Sequence, residues 1–216
     1  MLPLRLGSAG APLRILCVGA HCDDIEIGCG GTIMRLLECH PGSVVRWVVF
    51  TSGGNRAAEA EASARLFLER AGESHVEVLA FRDAFLPYTG VEVKERFESL
   101  KQAAPDVIFT HCREDLHQDH RFLNELTWST FRNDLILEYE IPKYDGDMGR
   151  PNFFVPLTEP LAVRKVRYIV DSFQSQNGRH WFSEDLFLSL LRLRAIECGG
   201  SDRYAEAFYC RKGILI

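Results

Sequence analysis

The chain has 216 residues, of which 46% are hydrophobic and 25% charged, and its formal net charge is −5. This length suits one globular domain with a sizeable core. The acidic balance argues against a protein that binds the nucleic-acid backbone, so no nucleic-acid partner is expected. No apolar run reaches the roughly 20 residues that a membrane span needs, so no span is predicted.

Strand and helix signals alternate along the first two thirds of the chain. The runs typical of buried strands are Leu13–Ala20, Val44–Thr51, His75–Phe81, Asp106–His111 and Leu135–Ile141. The helical patterns between them are Gly31–His40, Arg56–Gly72, Val91–Ala103 and Asp119–Arg132. This alternation predicts an α/β fold, a single Rossmann-like domain with a mostly parallel sheet and helices on both faces.

The pattern changes after Pro142. Residues 143–154 (KYDGDMGRPNFF) are rich in Gly, Asp and Pro, which predicts a long loop. Two helices are expected to follow, at Glu159–Phe173 and Ser183–Glu197. We therefore expect one domain over residues 1–216, with a C-terminal helical elaboration.

The N-terminus and the cysteines favour a cytoplasmic protein. The first 21 residues lack the core and the cleavage pattern of a signal peptide. The seven cysteines are odd in number and scattered, which is typical of reduced thiols. No CxxC pair is present, so a structural zinc knuckle is not expected.

Two segments rich in histidine and aspartate follow strands of the predicted sheet. Gly19–Thr32 (GAHCDDIEIGCGGT) follows the first strand, and Thr110–His120 (THCREDLHQDH) follows the fourth. Ligands bind outside the carboxyl ends of the strands in open parallel sheets. Both segments are therefore expected at one functional edge.

These side chains suit a metal site. His21 and Asp24 are three residues apart at a predicted strand-to-helix turn, so both could face one ion. One of His117 and His120 could complete a His-Asp-His set, and Asp23 would be free to act as a base beside metal-bound water. The competing interpretation is that the aspartates cap helices and the histidines lie on the surface.

The segments AHCDDIEIGCGG and HQDH resemble the two motifs of the PIG-L (LmbE-like) superfamily of zinc-dependent N-deacetylases. The family has an AHPDD sequence followed by a glycine-rich turn, and an HxDH sequence. The resemblance covers the first to the fifth strand, and Tyr204–Phe208 (YAEAF) resembles a later stretch of bacterial members. It implies one zinc ion per chain, held by His21, Asp24 and His120. Cys22 stands where the family usually has proline, and we expect its thiol to point away from the metal.

The resemblance also implies roles in amide hydrolysis. Asp23 matches the family's general base, and His117 matches the histidine that, when protonated, stabilises the oxyanion and protonates the leaving amine. Asp119 would pair with a histidine and hold its orientation. The implied substrate is a small acetamido sugar, often joined to another group. A homo-oligomer is compatible with the resemblance, although no segment identifies an interface.

Three further side chains are candidates for substrate binding. Arg56, after the second strand, resembles a family arginine thought to contact the sugar, although it also suits an exposed helix surface. Arg113 flanks the second motif with Asp115, where the two could line the pocket or form a structural ion pair. Tyr144 lies in the long loop, which suits either a substrate lid or an ordinary connection.

Gly28, Gly30 and Gly31 predict a tight strand-to-helix turn in the first motif. The following helix N-terminus could receive an anion. The spacing is not that of a dinucleotide-binding GxGxxG sequence.

Two other functions stay open on the sequence alone. A metal-dependent phosphoesterase would favour a second metal held by bridging carboxylates. A non-enzymatic nucleotide- or sugar-binding module would explain the glycines, but not a His-Asp-His set beside a spare carboxylate. Metal content would separate the three, because they require one ion, two ions and none.

Overall fold

The computed structural model describes residues 3–214, so residues 1–2 and 215–216 of the predicted domain lie outside the described part. The strands are β1 (Arg14–Gly19), β2 (Val44–Thr51), β3 (Glu73–Phe81), β4 (Val107–His111), β5 (Leu135–Tyr139), β6 (Phe153–Leu157) and β7 (Tyr204–Tyr209). The helices are α1 (Asp24–Cys39), α2 (Arg56–Phe67), α3 (Gly90–Leu100), α4 (Gln118–Thr130), α5 (Glu159–Ser172) and α6 (Glu184–Cys198). No helix within residues 3–214 is both long enough and apolar enough to cross a membrane.

All seven strands belong to one sheet, in the order β3-β2-β1-β4-β5-β7-β6. Strands β1 to β5 run parallel to one another, and β7 runs antiparallel to both β5 and β6. The strand order reverses between β1 and β4, and a reversal of this kind opens a crevice outside the carboxyl ends of the strands. The predicted α/β fold with a mostly parallel sheet is confirmed.

Apolar side chains cover both faces of the sheet. Helices α1, α2, α5 and α6 pack on one face around Trp47 and Phe67, and α3 and α4 pack on the other around Phe50 and Phe97. Strand β1 contributes to both clusters, which explains why its sequence is a continuous apolar run rather than an alternating one. All seven cysteines carry free thiols.

The C-terminal region contains two strands in addition to the predicted helices. Strand β6 lies at the edge of the sheet, where Pro156 is tolerated because an edge strand needs fewer backbone donors. Strand β7 inserts between β5 and β6 and is buried along most of its length. The C-terminal elaboration therefore extends the sheet as well as adding helices.

The glycines of the first motif lie inside α1, so the prediction of a glycine turn was wrong. The helix begins at Asp24 rather than at Gly31. A Cβ atom on Gly28 would lie 2.2 Å from Cδ2 of Tyr139, and one on Gly30 would lie 2.5 Å from Cε1 of Phe67. The missing side chains let α1 approach β5 and α2 closely.

Candidate active site

The sheet topology brings His21, Asp24 and His120 together. His21 and Asp24 lie where β1 passes into α1, and His120 lies on the first turn of α4, after β4. Because β1 and β4 are neighbours, the loops at their carboxyl ends lie side by side. His21 Nδ1 is 3.0 Å from His120 Nε2 and 3.2 Å from Asp24 Oδ2, and the last two atoms are 3.4 Å apart. We call these three residues the His-Asp-His triad.

The spacing of the triad fits a tetrahedral zinc ion. Two ligand atoms about 2.0–2.1 Å from one tetrahedral ion are about 3.3 Å from each other. The three measured distances, 3.0, 3.2 and 3.4 Å, lie around this value. Two imidazole nitrogens and one carboxylate oxygen form a ligand set that zinc accepts while a fourth position stays open.

The charges of the triad depend on one another. Burial disfavours the charged form of Asp24, yet His120 and His21 hold its pKa well below the usual range. Burial by itself would lower the pKa of His21 and of His120, but Asp24 reverses the effect and raises both. The buried carboxylate of Asp24 thus favours protonation of both imidazoles, and a divalent ion bound among the three groups would displace protons from them.

Each histidine of the triad has a second carboxylate at its other ring nitrogen. His120 Nδ1 lies 2.8 Å from Asp115 Oδ2, and His21 Nε2 lies 3.0 Å from Asp83 Oδ1. The hydrogen bond to Asp115 fixes the orientation and tautomer of the His120 imidazole, whereas His21 Nε2 has no partner with hydrogen-bond geometry among the described residues. Asp83 was not among the predicted site residues, and its only signal in the sequence is a carboxylate shortly after the third strand.

Asp23 lies next to the triad with one paired oxygen and one free oxygen. Its Oδ1 accepts a hydrogen bond from Nη2 of Arg56 at 3.1 Å. Its Oδ2 is buried and has no hydrogen-bond partner among the described residues. Burial raises the pKa of Asp23, Arg56 opposes this change, and Asp24 adds to it. A free carboxylate oxygen with a raised pKa can accept a proton from water.

His117 lies at the N-terminus of α4 and faces the same space. Its Nδ1 accepts a hydrogen bond from the backbone amide of Asp119 at 3.3 Å, so Nε2 is the donor nitrogen of the neutral ring. Its ring centroid is 4.8 Å from that of His21. Burial lowers the pKa of His117, and the neighbouring His120 and His21 lower it further.

Asp119 is fully buried beside the candidate site. It accepts hydrogen bonds from the backbone amides of Ala84 at 2.8 Å and Leu86 at 3.2 Å. Its Oδ2 also lies 3.6 Å from Nε2 of His21. Asp119 therefore holds the loop after β3, which carries Asp83. It also lies close to the His21 ring of the triad.

His111 lies against the triad, but the ring nitrogen that approaches Asp24 already accepts a hydrogen bond. Its ring stacks on that of His120, with 3.8 Å between the centroids, and its Nε2 is 3.4 Å from Asp24 Oδ2. That nitrogen already accepts a hydrogen bond from the amide of Ala20 at 2.9 Å. Burial lowers the pKa of His111 to about 4, so the ring is neutral. We therefore exclude it from the ligand set.

Two of the predicted substrate-binding residues are exposed on the segments that follow β4 and β5, and their role in substrate binding stays a prediction. The side chain of Arg113 is exposed and approaches Glu114 at 4.0 Å, and its backbone amide donates a hydrogen bond to Glu138 at 2.9 Å. Tyr144 is also exposed. Arg56, in contrast, is in the site through its contact with Asp23.

Cys22 points away from the triad, as expected. Its Sγ donates to the carbonyl oxygen of Thr51 at 3.4 Å, on the side of β2. Burial raises the pKa of the Cys22 thiol to about 12, which disfavours a metal-binding thiolate.

Known proteins share both the sequence pattern and the fold. The family described as PIG-L, GlcNAc-PI de-N-acetylase, matches residues 16–131. A diacetylchitobiose deacetylase of Thermococcus kodakarensis is 28% identical, over 94% of this chain and 85% of its own length.

Solved structures agree on the fold. The structure of a conserved protein from Thermus thermophilus has a TM-score of 0.77 at 20% identity, covering 94% of this chain and 97% of that one. A 4-carboxy-2-hydroxymuconate hydratase from Pseudomonas putida has a TM-score of 0.75 at 16% identity, with the same coverage. The fold thus occurs with more than one type of reaction, and the choice between reactions depends on the site.

Proposed function

Since this chain belongs to the PIG-L family, we propose that it is a deacetylase that removes the acetyl group from an N-acetylated sugar, with one zinc ion per chain. The observation that carries the proposal is the convergence of three ligand atoms, 3.0–3.4 Å apart, next to the free Oδ2 of Asp23. The named deacetylase among the relatives supports the reaction type. His21, Asp24 and His120 are the proposed ligands.

The ion, when bound, would supply a Lewis acid that polarises the amide carbonyl and makes water easier to deprotonate. Asp23 would accept the proton of the attacking water at its free Oδ2. Arg56 holds the other oxygen at 3.1 Å, so the carboxylate keeps one orientation while it gains and loses that proton. We therefore propose that Arg56 positions the base, whether or not it also contacts the sugar.

His117 would stabilise the negative charge that develops on the carbonyl oxygen. With Nδ1 accepting the Asp119 amide, the neutral ring directs an N–H at Nε2 towards the space next to the triad. The lowered pKa of His117 favours this role over that of a proton donor. The proton held by Asp23 then passes to the leaving nitrogen, so one water and one amide yield acetate and a free amine.

The arrangement favours a deacetylase over the two alternatives. A phosphoesterase with two metals would need a second, separate set of ligands, but every other group of described His and Asp residues that could hold an ion shares His21 or His120 with the triad. A binding module would need neither a ligand triad nor a carboxylate with a raised pKa. Metal analysis tests this choice, because the proposal requires one zinc ion per chain.

The decisive experiment is Asp23→Asn. We expect the variant to keep its zinc content and to lose amide hydrolysis by about 10²–10⁴-fold, because the amide cannot accept the proton. Zinc is measured by elemental analysis, and acetate release is measured on N-acetylglucosamine derivatives. Asp24→Ala is the matched control, and it should instead lower the zinc content. Full activity in Asp23→Asn would overturn the mechanism.

A further inference from the structure

Large apolar side chains are exposed on segments that follow the carboxyl ends of the strands, the edge of the sheet that carries the candidate active site. Twelve large hydrophobic residues are exposed among residues 3–214, and six of them lie on the segments that follow β3, β4 and β5. We call these six the apolar rim: Phe85, Tyr88, Val91, Leu116, Tyr144 and Met148. The exposed fractions of Tyr88, Val91 and Tyr144 are 75%, 71% and 71%. Exposed apolar groups that gather next to a site often mark a binding surface.

The segments that carry the rim are anchored to the site itself. Phe85 lies between Ala84 and Leu86, whose amides bind the buried Asp119. Leu116 precedes His117, and its amide donates a hydrogen bond to Asp147 at 2.8 Å, next to Met148.

The rim is also internally organised. The rings of Phe85 and Tyr88 are 5.8 Å apart, and the guanidinium of Arg82 lies 3.7 Å from the centroid of the Phe85 ring. Side chains on anchored segments lose less conformational entropy when a ligand covers them.

The composition of the rim indicates what would cover it. Aromatic rings alone would suit a second sugar, but Val91, Leu116 and Met148 are aliphatic and offer no hydrogen bond to hydroxyl groups. Aliphatic and aromatic side chains together suit an apolar group.

We propose that the apolar rim binds an apolar group joined to the acetamido sugar, so that alkyl or aryl glycosides are preferred over the free sugar. This inference rests on the proposed deacetylase function. The sugar amide would lie at the triad, and the aglycone would extend outwards over the rim. The continuity between rim and site favours this occupant over a second copy of the chain.

The test compares methyl, hexyl and phenyl glycosides of N-acetylglucosamine. We expect kcat/KM for acetate release to be at least about tenfold higher for the hexyl and phenyl compounds than for the methyl compound. Tyr88→Ser and Leu116→Ser should each reduce this ratio. Ile196→Ser is the control, because Ile196 is exposed on α6, outside the rim, and its replacement should leave the ratio unchanged.

Three results would overturn the inference. Equal kcat/KM values for all three glycosides would reject the aglycone site while leaving the deacetylase function in place. No acetate release from any glycoside would reject the proposed function and the inference together. A wild-type oligomer that dissociates in Tyr88→Ser would identify the rim as an interface between copies of the chain instead.

Discussion

Asp115 fixes the orientation of the His120 ring, and with it the direction of Nε2. Its Oδ2 lies 2.8 Å from His120 Nδ1 and 3.0 Å from the ammonium of Lys143, and its Oδ1 accepts the amide of His117 at 2.8 Å. A carboxylate with three partners cannot rotate freely. Nε2 of His120 is thereby directed at the position where Asp24 and His21 converge.

We expect Asp115→Asn to weaken zinc binding by about 10–100-fold, because the amide is a poorer hydrogen-bond acceptor and directs the ring less firmly. Zinc affinity is measured by competition with a coloured chelator. Glu114→Gln is the control, since Glu114 directly precedes Asp115 in the chain and its side chain is 80% exposed. Equal affinities in the two variants would show that Asp115 does not orient the ligand.

Helix α1 is the element whose packing the sequence predicts least well. Three glycines within four residues lower helix propensity, which favours a turn when local signals alone are considered. The structure has a helix there because close packing against the Tyr139 and Phe67 rings outweighs the propensity. The convergence of His21, Asp24 and His120 could be predicted, because the segments that carry them follow parallel strands of one sheet. The contact between Asp83 and His21 could not be predicted, because a single carboxylate after a strand is common. The loop that carries Asp83 is held by Asp119, which is distant in the sequence.

Gly28→Ala tests this packing. Alanine should gain up to about 1 kcal/mol of helix propensity, but its Cβ would overlap the buried Tyr139 ring, and overpacking costs about 1–3 kcal/mol or more. At 2.2 Å the overlap is severe, so we expect net destabilisation in urea unfolding. Gly53→Ala, where no atom lies within 4 Å of the new Cβ, should change stability by less than about 0.5 kcal/mol. A stabilised Gly28→Ala would contradict this account.

At the scale of the whole molecule, a buried ion pair joins the C-terminal region to α1. The ammonium of Lys165, on α5, donates to the carbonyl of Ile27 at 2.6 Å and to Glu206 at 2.5 Å. Glu206, on β7, accepts the amides of Gly31 and Thr32 at 2.8 and 2.6 Å. Strand β7 is not evident from the sequence, because a glutamate is not expected inside a buried strand. In the structure, a lysine 41 residues away in the chain neutralises this glutamate.

Removing one member of this pair should be costly. Lys165→Met or Glu206→Gln should each lower the free energy of unfolding by about 3–5 kcal/mol, because each leaves an uncompensated buried group. The double variant should lose less than the sum, with a coupling of about 0.5–3 kcal/mol. The free energy of unfolding is measured with denaturant for the wild type, the two single variants and the double variant. The exposed pair of Arg65 and Glu61 is the control, since Arg65→Ala should change stability by under about 1 kcal/mol. Additive losses would refute the coupling.

The position of Glu206 in the chain also sets an order of events during synthesis. His21, Asp24 and His120 all leave the ribosome before Glu206, which follows His120 by 86 residues. At about 5–20 residues per second this delay is roughly 4–17 s. Until β7 is made, the amides of Gly31 and Thr32 lack the carboxylate that binds them in the finished fold. The helix that begins with Asp24 thus reaches its final packing only after β7 has been translated, when all three proposed ligands have already left the ribosome.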